Sequence, residues 1–110
     1  MTARLATEFW VGAYRARLAA AGIPCYLTHR GDPTAGAVLV KLATLDGAAR
    51  LYGRAYGPDG ARIWATLAES AESEVDAAAA RQRDFDPDLW LIEIEDRQGR
   101  TLLEEDGLAG

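Results

Sequence analysis

Apolar positions along the chain change their period several times, and each change marks an element. From Leu5 to about Ala21, the residues Leu5, Phe9, Gly12, Ala16 and Ala20 recur at i, i+3/i+4, which predicts a helix with that stripe inward. Gly22 stops it, with Pro24 just beyond. Cys25–Arg30 reads as a short strand, residues 31–36 as a Gly/Pro loop, and Ala37–Leu45 as the clearest strand in the chain. Asp46-Gly47 is a hairpin signal leading into Ala48–Gly57, because a type I′ turn needs positive φ at both central residues. Gly57-Pro58-Asp59-Gly60 makes a second turn with Gly60 left-handed, and Ala61–Leu67 is the fourth strand. Ser70 is expected to cap a second helix whose inner stripe is Val75, Ala78, Ala79, Gln82 and Phe85. Asp86-Pro87 ends that helix, Leu89–Glu95 is the last long strand, and Gln98-Gly99 turns the chain into a short segment through Leu103. Residues 104–110 read as a frayed acidic tail.

The order α-β-β-β-β-α-β predicts a single α+β domain over residues 1–110. A two-residue Asp46-Gly47 loop pairs Leu42 with Leu51, and a three-residue loop at Pro58-Asp59-Gly60 pairs Ala55 with Ile63. Both turns then place Val38, Val40, Leu42, Leu51, Ala55, Ile63 and Leu67 on one apolar face. Two helices covering that face, through Phe9 and Phe85, give a two-layer sandwich with a mainly antiparallel sheet and both helices on one side.

The opposite face then carries Leu39, Lys41, Tyr52, Arg54, Tyr56, Arg62 and Trp64, with Arg50 beside them. Three uses suit an arginine–aromatic face. It can hold a homodimer or protein partner through Tyr, Trp and Arg anchors. It can satisfy itself, Arg54 stacking on Trp64 and Arg62 on Tyr56. It can stack bases and bind phosphates of single-stranded nucleic acid. The last reading is the weakest, because Glu93 and Glu95 of the final strand are expected on the same face.

Charge sharpens this picture. The 110 residues carry a formal net charge of −5, but residues 1–66 hold eight Lys/Arg and four Asp/Glu, whereas residues 67–110 hold four and thirteen. No apolar run approaches the roughly 20 residues of a membrane span and no signal-peptide pattern opens the chain, so a cytoplasmic location with no membrane partner is expected. One cysteine, Cys25, excludes an internal disulfide, and with the single His29 it excludes Cys/His zinc signatures. Cys25 and His29 on one strand lie roughly 13 Å apart, too far for a nucleophile–base pair. No cofactor or metal is expected.

Two constellations remain. The order of elements is similar to the core of restriction-endonuclease-like enzymes, and Asp32 followed by Leu39-Val40-Lys41 mimics their Asp…(Asp/Glu)-x-Lys spacing. Leu39 stands where a carboxylate is required, so a metal-dependent phosphodiesterase using Asp32, Lys41, Glu93 and Glu95 is the rival reading. A polar site formed by Arg30 and Asp32 with Arg81, Arg83, Asp86 and Asp88 is the other constellation; local ion pairing explains the same residues.

Arg30-Gly31-Asp32, Ala35-Gly36-Ala37-Val38-Leu39-Val40-Lys41, Ala80-Arg81-Gln82-Arg83 with Phe85-Asp86-Pro87-Asp88-Leu89-Trp90, and Glu95-Asp96-Arg97 with Gly99-Arg100 carry a resemblance. Over nearly the whole chain these segments resemble the bacterial domain of unknown function 1491 family. That resemblance implies a small bacterial cytoplasmic protein and supplies no catalytic residues. The reading reached from sequence is therefore a non-enzymatic interaction module.

Overall fold

The computed structural model describes residues 6–109. It is an α+β fold whose elements follow the expected order: α1 (Thr7–Ala20), β1 (Cys25–His29), β2 (Val38–Ala43), β3 (Ala48–Tyr56), β4 (Arg62–Ala71), α2 (Glu72–Phe85) and β5 (Trp90–Glu95). The five strands form one sheet in the order β1-β5-β2-β3-β4. It is mixed: β5 runs parallel to β2, and the other three pairings are antiparallel.

The helices lie on opposite faces, which corrects the expected two-layer packing. Val11, Tyr14 and Leu18 of α1 pack with Val38, Val40 and Leu42 of β2 and Trp90, Ile92 and Ile94 of β5. Val75 and Ala79 of α2 pack with the alternate residues Leu39, Leu51 and Leu91. The cause is a register difference of one residue. Leu45 adopts a positive φ of 63° and joins Asp46 and Gly47 in a three-residue loop, so Leu42 pairs with Arg50 and Lys41 with Leu51. A one-residue slip reverses the facing of every β3 side chain. Because β2 is buried on both faces, its own pattern does not select the register. Leu51 settles under α2, and Arg50, Tyr52 and Arg54 turn to the α1 side.

Other expectations differ locally. The stripe of α1 is Val11, Tyr14 and Leu18, leaving Phe9, Gly12, Ala16 and Ala20 exposed; Leu5 lies outside the described residues. In α2, Val75, Ala78 and Ala79 face inward as expected, but Gln82 is exposed and Phe85 is 93% exposed. Ser70 lies within β4 and donates its hydroxyl to the Glu74 carboxylate (2.7 Å), Ala71 stands at the N-cap, and the first turn of α2 is tied by Glu72 N–H to Gly47 O at 2.9 Å. The second hairpin keeps its expected register from Tyr56↔Arg62 to Tyr52↔Thr66, with Gly60 at φ 82°, until a bulge near Leu67 pairs Leu51 with Ala68.

The placement of β5 between β1 and β2 forces residues 30–37 to cross the chain leading into it. They cross backbone against backbone. Asp32 N–H donates to Asp88 O (2.8 Å), Trp90 N–H to Ala37 O (2.7 Å) and the Trp90 indole to Asp32 O (2.8 Å). A Cβ on Gly31 would stand 2.2 Å from Asp88 O, and one on Gly36 2.5 Å from the same oxygen. The same loop supplies the cap that α1 lacks in side chains: Thr7 and Glu8 N–H donate to Thr34 O and Pro33 O, and the Thr7 hydroxyl to Gly36 O. Gly31→Ala is therefore expected to destabilise the fold by roughly 1–3 kcal/mol through backbone displacement, whereas alanine at the open Gly12 should not; urea titration of both variants checks this.

Candidate functional site

The face expected to act as one surface is divided between the two sides of the sheet. Leu39 and Lys41 point to the α2 side, and Tyr52, Arg54, Tyr56, Arg62 and Trp64 to the α1 side. Each group has its own chemistry.

On the α2 side, Lys41 is only 4% exposed yet meets three carboxylates: Asp76 at 2.5 Å, Glu72 at 2.8 Å and Glu93 at 3.0 Å. The first two come from the opening turns of α2 and the third from β5, so one ammonium ties helix and sheet together. Burial pulls the Lys41 pKa down, but the hydrogen bonds to Asp76, Glu72 and Glu93 outweigh it and hold it above its usual 10.5. Glu93 also accepts from the Thr28 hydroxyl. It therefore serves Lys41 and β1, and does not offset the arginines as the sequence suggested.

This arrangement also separates the carboxylates of the metal-enzyme reading. Asp32 spends its carboxylate on the N–H groups of Thr34 (3.2 Å) and Ala35 (2.8 Å), shaping the crossing loop. Glu95 takes a hydrogen bond from Tyr26, and Glu93 belongs to Lys41. Among the described residues, no group of three or more His, Cys, Asp or Glu is placed to hold a metal ion. His29 uses Nδ1 on Leu89 O at 2.7 Å, a structural contact from β1 to the residue just before β5.

On the α1 side, arginine and aromatic rings gather as the self-satisfied reading foresaw, with an unforeseen partner. Arg54 lies 4.1 Å from the Trp64 ring centroid and 5.9 Å from that of Trp10, whose ring is 5.3 Å from Trp64 and 5.0 Å from Tyr14. The chain after β5 closes over this cluster. Leu108, 1% exposed, presents its carbonyl to Arg54 Nη2 (2.8 Å), Trp64 Nε1 (3.2 Å) and Trp10 Nε1 (3.4 Å), and Arg54 also donates to Ala109 O. Tyr14 donates its hydroxyl to Thr101 O at 2.8 Å; burial foremost drives its pKa far above the usual tyrosine value. Arg17 binds Asp106 O at 2.6 Å. Gly110 lies outside the described residues; residues 101–109 thus form a docked strap that includes residues 104–109 of the tail expected to fray, and it covers the Trp10, Arg54 and Trp64 cluster. Its apolar signal, Leu102, Leu103 and Leu108 within an acidic run, was present in the sequence.

The proposed polar site is likewise part of the scaffold. Arg30 stacks 5.1 Å from the Trp90 centroid and pairs with Glu8 at 3.9 Å. Asp86 accepts from Asp88 N–H at 3.1 Å, forming the turn into β5. Arg81 and Arg83 stand exposed on α2, with no ion pair among the described residues. Asp96 grips Arg100 through its backbone N–H (2.7 Å) and guanidinium (3.0 and 3.1 Å), and these bonds hold its carboxyl below the usual range.

What remains open is the outer edge of the sheet. On the α2 side of β4, Ile63 is 42% and Leu67 46% exposed, because α2 covers β2, the first half of β3 and the Ala68 end of β4 and stops short of them. Leu67 lies across Gly53, where a Cβ would meet its Cδ1 at 2.7 Å. From Ile63 to Ala68 this edge strand carries no charge.

Residues 5–104 match the model of a protein family described as being of unknown function, DUF1491. The crystal structure of a DUF1491 family protein from Caulobacter crescentus CB15 is similar, with a TM-score of 0.84, 42% identity, and coverage of 93% of this chain and 97% of that one. An NMR structure of a DUF1491 family protein from the same organism gives 0.81 at 42% identity, covering 94% and 96%. The solution structure of protein Atu0922 from A. tumefaciens gives 0.71 at 34% identity, covering 84% and 86%. No curated protein matches.

Two predictions follow from the two sides of the sheet. Lys41 has its folded pKa raised, so its ion pairs contribute in full below about pH 10.5 and the contribution is lost as pH rises through the folded value. Urea midpoints should fall more steeply above pH 10.5 for the native chain than for Lys41→Met; equal alkaline slopes would assign Lys41 no share. Ending the chain at Glu104 removes buried Leu108, which should cost roughly 2–5 kcal/mol and shift tryptophan emission to the red as the Trp10 and Trp64 indoles meet water.

Proposed function

The chain belongs to the DUF1491 family, to which no activity is assigned, and we propose that it works as a non-enzymatic interaction module that pairs with a second copy of itself along β4. One observation carries this reading: β4 is a ten-residue edge strand in which six consecutive residues, Ile63–Ala68, are uncharged, with Ile63 and Leu67 exposed. Long uncharged edges are templates for strand pairing, and natural proteins usually guard them with lysine, proline or a cover. Here neither lysine nor proline lies between Ile63 and Ala68; the bulge near Leu67 and the strap over Trp64 interrupt the run on the α1 side only in part.

Charge selects a second copy as the occupant. Arg62 precedes the uncharged run and Glu69 follows it. Antiparallel pairing of two β4 strands brings the basic end of one to the acidic end of the other. Arg62 pairs with Tyr56 and Glu69 with Arg50, so the bulge leaves both charges on the same face of the sheet, as such cross-strand attraction requires. Parallel pairing would oppose like charges. A two-fold axis at the centre of β4 then makes the contact self-complementary and closed.

This reading moves the interaction surface from the arginine–aromatic face to the strand edge beside it. Tyr56 of the predicted face is 67% exposed near the hairpin tip, beside that edge. Sedimentation equilibrium should give twice the monomer mass for the native chain and the monomer mass for Thr66→Pro and Leu67→Lys, each with the helical content retained. A monomer at all concentrations overturns the proposal.

A further inference from the structure

We infer that the opposite edge of the sheet is a second binding site, a cleft that accepts an extended acidic peptide as a strand beside β1. It stands independently of self-pairing at β4, since the two edges lie at opposite ends of the strand order.

The cleft lies between the outer flank of α1, whose buried residues pack on β2 and β5, and β1, which α1 also touches. Gly12, Ala16 and Ala19 form one wall of small residues exposed in the fold, of which Gly12 and Ala16 read in sequence as core. Cys25 and Leu27, the two β1 side chains that face α1, form the floor. The hollow has a volume of about 440 Å³ and continues, through the shared Gly12 and Arg15, into a second of about 290 Å³ that ends at Trp90. No atom lies within 4 Å of a Cβ built on Gly12, so the wall is recessed there.

Three features define the occupant. β1 is five residues long and is an edge strand, so its outer backbone groups can pair with another extended chain. Every second side chain of such a guest would enter the cleft, where small walls and an apolar floor accept a valine-sized group. Arg15 lies along the cleft and Arg30 borders its Trp90 end, and both are exposed, on a molecule whose net charge is −5. Glu8, also at that end, pairs with Arg30 at 3.9 Å and leaves Arg15 as the cation nearest the middle. A guest with carboxylates flanking an apolar side chain on its inward face matches this order of groups.

The probe is a fluorescein-labelled Thr-Glu-Thr-Val-Thr-Glu-Thr peptide, whose Glu, Val and Glu share one face, and its counterpart with Lys for Glu. Fluorescence anisotropy should show the acidic peptide saturating below about 1 mM and the lysine peptide failing to bind. Gly12→Leu fills the recess while placing a better helix former in α1, and Arg15→Glu reverses the central charge; each should weaken binding at least about tenfold. Thermal melts of both variants at or near the native midpoint keep folding separate from binding. Amide shifts in an NMR titration should centre on residues 25–29. Failure to saturate, equal binding of the lysine peptide, indifference to Gly12→Leu, or shifts centred on β4 overturns the inference.

Discussion

The crossing of residues 30–37 over the chain that leads into β5 is the constraint on which the rest of the structure rests. β5 lies between β1 and β2 and, among the described residues, is the one sheet neighbour of β1. Two backbones must therefore meet with no side chain between them, which is where Gly31 and Gly36 stand against Asp88 O. The crossing also anchors other parts. Its carbonyls cap α1, and its Asp32 oxygen receives the Trp90 indole at 2.8 Å. The segments that carry the family resemblance, Arg30-Gly31-Asp32 and Phe85-Asp86-Pro87-Asp88-Leu89-Trp90, are the two sides of this contact. Their polar appearance is explained by scaffold chemistry.

Element order and most boundaries were legible in the sequence because turns and helix stops are written locally: Gly22, Gly60 and Asp86-Pro87 act where their patterns indicate. Facing was not. In α1, the set Phe9, Gly12, Ala16 and Ala20 competes with Val11, Tyr14 and Leu18 at equally good helical spacing, and only the larger side chains fill the space over β2 and β5. In the first hairpin, the favourable Asp46-Gly47 pair hid a loop that also takes Leu45, at a φ of 63° that leucine seldom adopts. Tertiary packing fixed the register against the local preference. From that single residue followed the wrong side for α2 and for Leu39 and Lys41.

The candidate surface divides along the same line. Pairwise contacts that depended only on the second hairpin held: Arg54 opposite Trp64 and Tyr56 opposite Arg62. Those needing the first hairpin did not. Lys41 exchanged an aromatic neighbourhood for a carboxylate cage, and the arginines gained a backbone partner from the far end of the chain. A buried lysine among acids is hard to foresee, because Asp76 and Glu72 belong to the acidic first turns that any helix favours for its dipole. The strap was legible in part, through apolar residues in an acidic run, and its docking site was not.

The strand order also governs how the chain can acquire its structure. β2, β3 and β4 are joined by short hairpins and pair with near neighbours in sequence, whereas β1 waits for residues 90–95 before it has any strand to join. The first helix waits with it, and its inner face is completed only by Leu103 and Leu108. A ribosome releasing this chain would thus hold a formed three-stranded meander while α1 and β1 remain unattached, and these would lock onto β5 and the strap in one late step. Long-range closure of that kind raises the contact order and slows folding relative to helical domains of equal size.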